Sequence, residues 1–171
     1  CLGAGWSTAC ITPFRMHKTW VHEGGACTPL VAHWTNGITA RGELRQTPGH
    51  AIDVVPTILE LAKAKVTLKK NAPSPPGKSL VPAFAEDRPI ERDYLWWSHD
   101  GNRAIRVKDW KLVSTNDKVW ELFDLAKDRT ETVDLSAKHP DKVKELEKLW
   151  LDKQDEFIED ATKSRNPKKK K

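Results

Sequence analysis

Lys18 and Glu23 are the residues of this chain best suited to chemistry, and they lie five positions apart in the segment Lys-Thr-Trp-Val-His-Glu-Gly-Gly. An ammonium group is a compact charge that can neutralise the oxygens of an anionic ligand and stabilise an oxygen as it leaves. The alternative for Lys18 is a solvated surface cation. The Glu23 carboxylate could act as a general acid or base, or it could fix the turn by accepting backbone or arginine hydrogen bonds. His22 and His99 are weaker candidates for ligand contact.

Turn and strand signals surround this segment. Gly24-Gly25 predicts a tight turn, because glycine tolerates positive φ angles and close backbone approach. Residues 26–34 form a short apolar run that ends at a turn signal, which favours a strand buried in a sheet. Residues 3–15 show neither a strand period nor a helix period and are predicted to form a loop, where binding groups are common. Lys18 is therefore expected at the edge of a sheet.

A helical pattern follows at residues 53–62. Its valines, isoleucine and leucines share one broad apolar face, so this helix is expected to lie on a sheet. Asp53 is a candidate N-cap, and His50 precedes or caps the helix. Beyond it, the prolines and the glycine of residues 69–77 cannot continue a helix or a central strand. A subdomain boundary is predicted there.

Four short β-type runs follow at residues 94–98, 103–107, 110–114 and 119–125, and their close spacing predicts antiparallel hairpins. Four tryptophans lie in these runs, where a sheet face can bury large rings, although an exposed stacking platform is the alternative. From Pro140 to about residue 159 the apolar period changes to 3.6. This pattern predicts a helix that covers one face of the sheet.

Composition and charge exclude several classes of protein. The chain has 171 residues, 38% of them hydrophobic, and no run approaches the roughly eighteen apolar residues of a membrane helix. Its net charge is +5, but six positive charges lie at or after Lys163 with no acid after Asp160, so residues 1–162 carry 5 minus 6, or −1. The basic excess is thus a tail, which disfavours a nucleic-acid binder. Three cysteines near one end support neither a disulfide framework nor a zinc site.

Taken together, the order and spacing of these motifs resemble the later half of a type I sulfatase, close to the bacterial arylsulfatases. The resemblance extends from the first residues to about Trp150. The matching segments are Gly-Ala-Gly-Trp at 3–6, Thr-Pro-Phe-Arg at 12–15, Lys18, Glu-Gly-Gly at 23–25, Thr-Pro-Leu at 28–30, and residues 50–62, 101–106, 109–113 and 120–125.

The resemblance implies a fold of the alkaline phosphatase superfamily and hydrolysis of sulfate esters. Such enzymes use a formylglycine made from cysteine or serine as a hydrated nucleophile, and a divalent metal, usually Ca²⁺, holds the sulfate. Lys18 matches the family's lysine that contacts the sulfate group, which would make it catalytic through stabilisation of the leaving group. The loop containing His99 would reach the rim of the substrate pocket. The resemblance also implies a periplasmic or extracellular location, and it leaves the oligomeric state open.

The nucleophile motif of the family, Cys/Ser-x-Pro/Ala-x-Arg, does not occur in this chain, since Cys10-Ile-Thr-Pro-Phe-Arg has a different spacing. By the resemblance, the metal ligands also belong to segments before residue 1. We therefore expect the C-terminal part of a longer sulfuric ester hydrolase, inactive alone. The alternative is a non-catalytic, sulfatase-derived module that binds sulfated polymers through Lys18 and exposed tryptophans.

The predicted organisation has four parts. Residues 1–70 are the end of the α/β catalytic domain, and residues 71–93 are a proline-rich linker. Residues 94–162 form a small α+β subdomain, in which a four-stranded antiparallel sheet packs against a C-terminal helix. Residues 163–171 are a basic, disordered tail.

Overall fold

The computed structural model describes residues 3–68, 72–116 and 118–165, without the side chains of residues 164 and 165. Two compact units can be distinguished. The first contains the residues up to Leu30 together with Asp93–Asp155, and the second contains Val31–Arg92 and the residues from Glu156 onward. This division differs from the predicted one, because the first thirty residues belong with the C-terminal sheet.

The first unit is built on a four-stranded antiparallel sheet in the order β1-β2-β3-β4. Its strands are β1 (Leu95–His99), β2 (Asn102–Val107), β3 (Trp110–Ser114) and β4 (Glu121–Asp124). The turn between β1 and β2 is Asp100-Gly101, and both residues have positive φ angles, of 47° and 74°. A two-residue turn of this kind matches the twist of paired strands. The predicted hairpins are confirmed.

Helix α5 (Pro140–Arg165) covers one face of this sheet, as predicted. Leu146 and Trp150 are buried there against Ile105, Leu112 and Leu122. These three residues lie directly opposite one another on β2, β3 and β4, so their side chains share the face that α5 covers. The helix continues past the expected end near residue 159 into the segment predicted as a disordered tail. Residues 166–171 of that tail lie outside the described residues.

The opposite face of the sheet is covered by the chain that follows α1 (Gly3–Ile11). Val21 is buried there against Ala104, Val113 and Phe123. The prediction of a loop over residues 3–15 is wrong for α1. This helix buries none of its residues, so it has no apolar stripe by which a pattern could reveal it.

The second unit contains two short helices, α3 (Val54–Leu61) and α4 (Val81–Ala85). Helix α3 confirms the predicted helix, and Asp53 stands at its N-cap position, but the Asp53 side chain makes no capping hydrogen bond to α3. The Asp53 carboxylate instead accepts hydrogen bonds from Arg92, at 2.7 Å, and from the backbone N–H groups of His50 and Lys78, each at 2.8 Å. His50 caps the 3₁₀ turn Ala51–Asp53 that precedes α3.

The strand predicted at residues 26–34 is wrong. Residues 27–34, which follow helix α2 (Glu23–Ala26), form no strand, and Val31 is 87% exposed. Consequently α3 has no sheet partner among the described residues of its unit, and Ile58 on its apolar face is 58% exposed. Within the described part of the chain, none of the helices has both the length and the hydrophobicity needed to cross a membrane.

Candidate functional site

Lys18 lies exposed on a turn that begins at His17, where the backbone N–H of Trp20 donates to the His17 carbonyl at 3.1 Å. The next residue is held to the sheet, because the Asn102 side-chain amide donates to the Thr19 carbonyl at 3.2 Å. Val21, two residues further, is buried against the sheet. The lysine is thus presented to solvent by a backbone that is fixed on its C-terminal side.

The Glu-Gly-Gly sequence forms the single helical turn α2. Its glycines allow neighbouring backbone carbonyl groups to approach the turn closely. The Gly24 N–H donates to the Arg15 carbonyl at 3.1 Å. A Cβ atom at Gly24 would clash with that carbonyl, and one at Gly25 would clash with the Trp20 carbonyl. Neither glycine has a positive φ angle. Of the two reasons predicted for this pair, close backbone approach is confirmed and a positive φ angle is wrong.

Lys111 of β3 forms the centre of a buried ionic cluster beneath this turn. Its side chain is fully buried, and its Nζ lies 2.9 Å from Oε1 of Glu23 and 2.9 Å from Oε1 of Glu131. Arg129 adds a second cation, with Nη2 donating to Oε2 of Glu23 at 3.2 Å. The prediction that Glu23 fixes the turn is confirmed for the arginine hydrogen bond. Its other partner is a lysine that sequence reasoning does not single out.

Glu131 also binds the backbone of the Glu-Gly-Gly turn. Its Oε2 accepts from the Glu23 N–H at 2.7 Å, and its carbonyl accepts from Arg15 Nη1 at 2.8 Å. Arg15 reaches β4 as well, where Nη2 donates to Glu121 Oε2 at 3.1 Å. Arg15 thus pairs with a carboxylate of the sheet. Both ends of the segment from Arg15 to Glu23 are therefore bonded to Glu131.

His22 completes the cluster and has no exposed surface. Its Nε2 lies 3.1 Å from Glu121 Oε2, and burial lowers the pKa of the imidazole, although the hydrogen bond to Glu121 and the charge of Glu131 act in the opposite direction. A neutral ring that donates to Glu121 carries its proton on Nε2. Such burial favours a structural role for His22 over the substrate contact predicted from sequence.

The cluster is balanced in charge. Three cations, Arg15, Lys111 and Arg129, are joined by these contacts to three carboxylates. Burial opposes ionisation of Glu23, but the charge and hydrogen bond of Lys111, together with the charge of Arg129, outweigh it and lower the pKa of this carboxyl. Glu23 is thus held as a carboxylate with its oxygens engaged, which disfavours a role as general acid or base.

His99 lies at the end of β1 with a side chain that is 59% exposed, 3.4 Å from the Asp100 carboxylate. Its register partner is Asn102, the residue that bonds the Thr19 carbonyl. The hairpin tip and the turn that carries Lys18 are therefore neighbours at one end of the sheet. Substrate contact by either residue stays a prediction.

The sheet tryptophans pack within the molecule rather than form an exposed platform. Trp120 is 7% exposed, and Trp96 stacks on Trp150 with ring centroids 5.3 Å apart. Among the described residues, exposed tryptophan surface is found instead at Trp6, at 70%, and at Trp34, at 44%. Trp6 and Trp34 belong to different compact units.

A metal site does not fit the described residues, since they contain no group of three or more histidine, cysteine, aspartate or glutamate side chains that could hold an ion. The described cysteines Cys10 and Cys27 are both free. The carboxylates of Glu23 and Glu121 are already bound to lysine and arginine.

A protein-family model described as the C-terminal region of N-sulphoglucosamine sulphohydrolase matches residues 14–156. The chain belongs to this sulfatase C-terminal family. The family match includes the Lys18 turn, the four strands and most of α5. Helix α1 and the end of α5 lie outside it.

Two sulfatases are similar in sequence to this family member. An uncharacterized sulfatase of Schizosaccharomyces pombe is 30% identical over 159 residues, which is 87% of this chain and 28% of that protein. A sulfatase of Formosa agariphila is 28% identical over 145 residues, or 75% of this chain and 26% of that protein. The chain thus spans little more than a quarter of the length of these curated relatives.

Solved structures show the same fold. The crystal structure of Ps i-CgsB matches with a TM-score of 0.67 and 27% identity, over 87% of this chain and 32% of that one. A second solved structure, described in connection with the metabolism of multiple glycosaminoglycans by Bacteroides thetaiotaomicron, also matches with a TM-score of 0.67. Its identity is 21%, over 80% of this chain and 31% of that one. The second likeness concerns the fold alone.

Proposed function

We propose that this chain is the C-terminal part of an arylsulfatase-like sulfuric ester hydrolase, in which Lys18 contacts the sulfate group. The reaction converts a sulfate ester and water into an alcohol or phenol and sulfate. Membership of the sulfatase C-terminal family supports the reaction class. The observation that carries the assignment of Lys18 is its exposure on a turn whose flanking residues are fixed by hydrogen bonds. The Arg15 side chain and the Glu23 N–H are bonded to Glu131, and the Thr19 carbonyl is bonded to Asn102 of β2.

In this proposal the ammonium group of Lys18 acts electrostatically. It neutralises charge on the sulfate oxygens and stabilises the ester oxygen as the bond to sulfur breaks. A fixed cation is effective because it needs no reorganisation at the moment of reaction. Glu23 supplies no proton, since its carboxylate is engaged by Lys111 and Arg129. Its contribution is to hold the turn.

Calcium and formylglycine belong to the same proposal through the family resemblance. Because the described residues offer no metal site, we propose that both are held by parts of the whole protein other than these 171 residues. When present, they would supply the sulfate-binding cation and the nucleophile. A periplasmic or extracellular location is proposed on the same basis.

The experiment is a substitution series in the sulfatase that contains this chain. Lys18→Ala is expected to lower the rate of aryl sulfate hydrolysis by about tenfold or more. The matched control is Lys108→Ala, which removes an exposed lysine in the turn between β2 and β3. Unchanged activity in Lys18→Ala would remove Lys18 from the site. The 171-residue chain alone is expected to hydrolyse no aryl sulfate.

His99 is the second residue proposed to reach the substrate, because the tip of the β1–β2 hairpin lies beside the Lys18 turn. We expect His99→Ala to raise KM for the sulfate ester while kcat changes less. Equal kinetic constants in the variant and the wild-type enzyme would place His99 outside the pocket.

A further inference from the structure

We propose that Lys111 is a positioning residue for the Lys18 turn: by bridging Glu23 and Glu131 it sets where this turn lies on the sheet, and it affects hydrolysis only through Lys18. The proposal rests on the proposed function of Lys18 as the sulfate contact. It assigns to the C-terminal sheet a defined part in the reaction, although Lys111 itself is fully buried and touches no substrate.

The buried surroundings of Lys111 restrict where its carboxylate partners can lie. Its Nζ is 2.9 Å from a carboxylate on each side and 5.7 Å from the centre of the Trp97 ring. A fully buried ammonium cannot exchange these partners for water, so its charge has to be matched by the carboxylates that face it. Glu23 is therefore held at one place on the sheet.

The constraint passes directly to the backbone of the turn. Glu131, the other carboxylate on Lys111, accepts a hydrogen bond from the Glu23 N–H at 2.7 Å. Lys111 thus fixes the Glu23 side chain directly and orients the group that fixes its main chain. Lys18 lies only five residues away, and Val21 and His22 between them are buried. With so little chain between them, a shift of Glu23 displaces Lys18.

Small displacements at this distance affect rate. A misplacement of about 1 Å can cost roughly a hundredfold in a reaction that depends on orientation. Glu23 and Lys18 move together in this proposal. Loss of Lys111 therefore misplaces Lys18 and removes its contribution to the rate of hydrolysis. A purely stabilising role for Lys111 makes a different prediction, because it would lower the amount of folded enzyme whatever residue occupies position 18.

A double-mutant cycle in the sulfatase that contains this chain separates the two roles. Lys111→Met is expected to lower kcat for an aryl sulfate by about 10- to 100-fold per folded enzyme. In a Lys18→Ala background the same substitution is expected to change kcat by less than about threefold, because residues that act through one another are not additive. Equal fold-losses in both backgrounds would overturn the proposal.

A second pair of variants covers the case in which Lys111→Met does not fold. Lys111→Met combined with Glu131→Gln removes one charge of each sign and keeps an oxygen that can accept from the Glu23 N–H. This double variant is expected to fold, yet to show the same loss of kcat and the same non-additivity with Lys18→Ala. Wild-type kcat in the folded double variant would contradict positioning by Lys111. Lys108→Met, on the surface, is the control.

Amide hydrogen exchange of this 171-residue chain distinguishes failure of the inference from failure of the proposed function. In the folded double variant, exchange at residues 18–26 is expected to accelerate relative to the wild-type chain, while exchange in β2 and β3 stays unchanged. If exchange at residues 18–26 is the same in the double variant and in the wild-type chain, the positioning role of Lys111 is refuted, but the proposed function of Lys18 is not. Activity that is unaffected by Lys18→Ala would instead refute the proposed sulfate contact, whatever the exchange data show.

Discussion

Lys111 Nζ lies 2.9 Å from Glu23 Oε1, although the two residues are 88 positions apart in the sequence. Both side chains are almost completely buried. The pair joins the Glu-Gly-Gly turn to β3 of the sheet, where both side chains are shielded from solvent. A buried ion pair contributes little net stability compared with an apolar pair, but breaking it is costly because it strands a charge. Several tests follow from this relationship.

The first prediction concerns the cost of removing Lys111. In Lys111→Met, Glu23 and Glu131 face each other without the cation between them, so the free energy of unfolding is expected to fall by about 3–5 kcal/mol. Urea unfolding of the 171-residue chain measures this change. Lys108→Met is expected to stay within about 0.5 kcal/mol. Coincident unfolding curves for Lys111→Met and the wild-type chain would contradict the buried pair.

The second prediction concerns the close backbone approach at Gly25. A Cβ there would meet the Trp20 carbonyl, which is main chain and cannot turn aside. We expect Gly25→Ala to destabilise the chain by about 1–3 kcal/mol. Gly5→Ala in α1 is the matched control, because a Cβ at Gly5 meets no atom within 4 Å, and alanine favours a helix by about 0.5–1 kcal/mol. Thermal unfolding of the two variants should shift in opposite directions.

The third prediction is a pH dependence of stability. Burial lowers the pKa of His22 in the folded chain below its ordinary value of 6.5. As the pH falls below about 6.5, the unfolded chain takes up a proton that the folded chain does not bind, so the free energy of unfolding decreases. Denaturant unfolding at a series of pH values between about 5 and 7 should show this decrease.

The variant His22→Gln isolates the contribution of that histidine. We expect a shallower decrease of stability over the same pH range, whatever the stability of the variant at neutral pH. The decrease should not vanish, because burial also lowers the pKa of His50 in the folded chain. An unchanged slope in His22→Gln would mean that the buried imidazole does not titrate as described.

The C-terminal sheet and its helix could be predicted because their information is local. Asp100-Gly101 marks a tight hairpin, and the period of α5 places Leu146 and Trp150 on one face. The structure confirms both elements. The tertiary partners of Lys111 could not be predicted in this way. In its strand Lys111 alternates with Trp110 and Leu112, a pattern that normally puts the polar residue in solvent.

The errors have the same origin. Residues 26–34 are apolar enough for a buried strand, but a strand also needs a partner, and Val31 is exposed in the described structure. Lys111 is buried because the chain around Val21 covers its face of the sheet. Neither the missing strand partner nor the burial of Lys111 can be predicted from the spacing of apolar residues along the sequence. Lys18 can be identified as a candidate from motif spacing and family resemblance, whereas the ionic cluster that holds its turn can be identified only from the folded structure.

The last prediction tests the other face of the sheet. Trp150 is 1% exposed, stacks on Trp96, meets Trp120 edge-on at 6.1 Å and donates its Nε1 hydrogen to the Trp97 carbonyl at 3.1 Å. Trp150→Ala removes these contacts and leaves a cavity between α5 and the sheet, so a loss of about 3–5 kcal/mol in the free energy of unfolding is expected. Trp6→Ala, at a position 70% exposed, should cost less than about 0.5 kcal/mol. Near-UV circular dichroism and urea unfolding measure both variants, and comparable unfolding midpoints for the two would show that α5 is not seated on the sheet through Trp150.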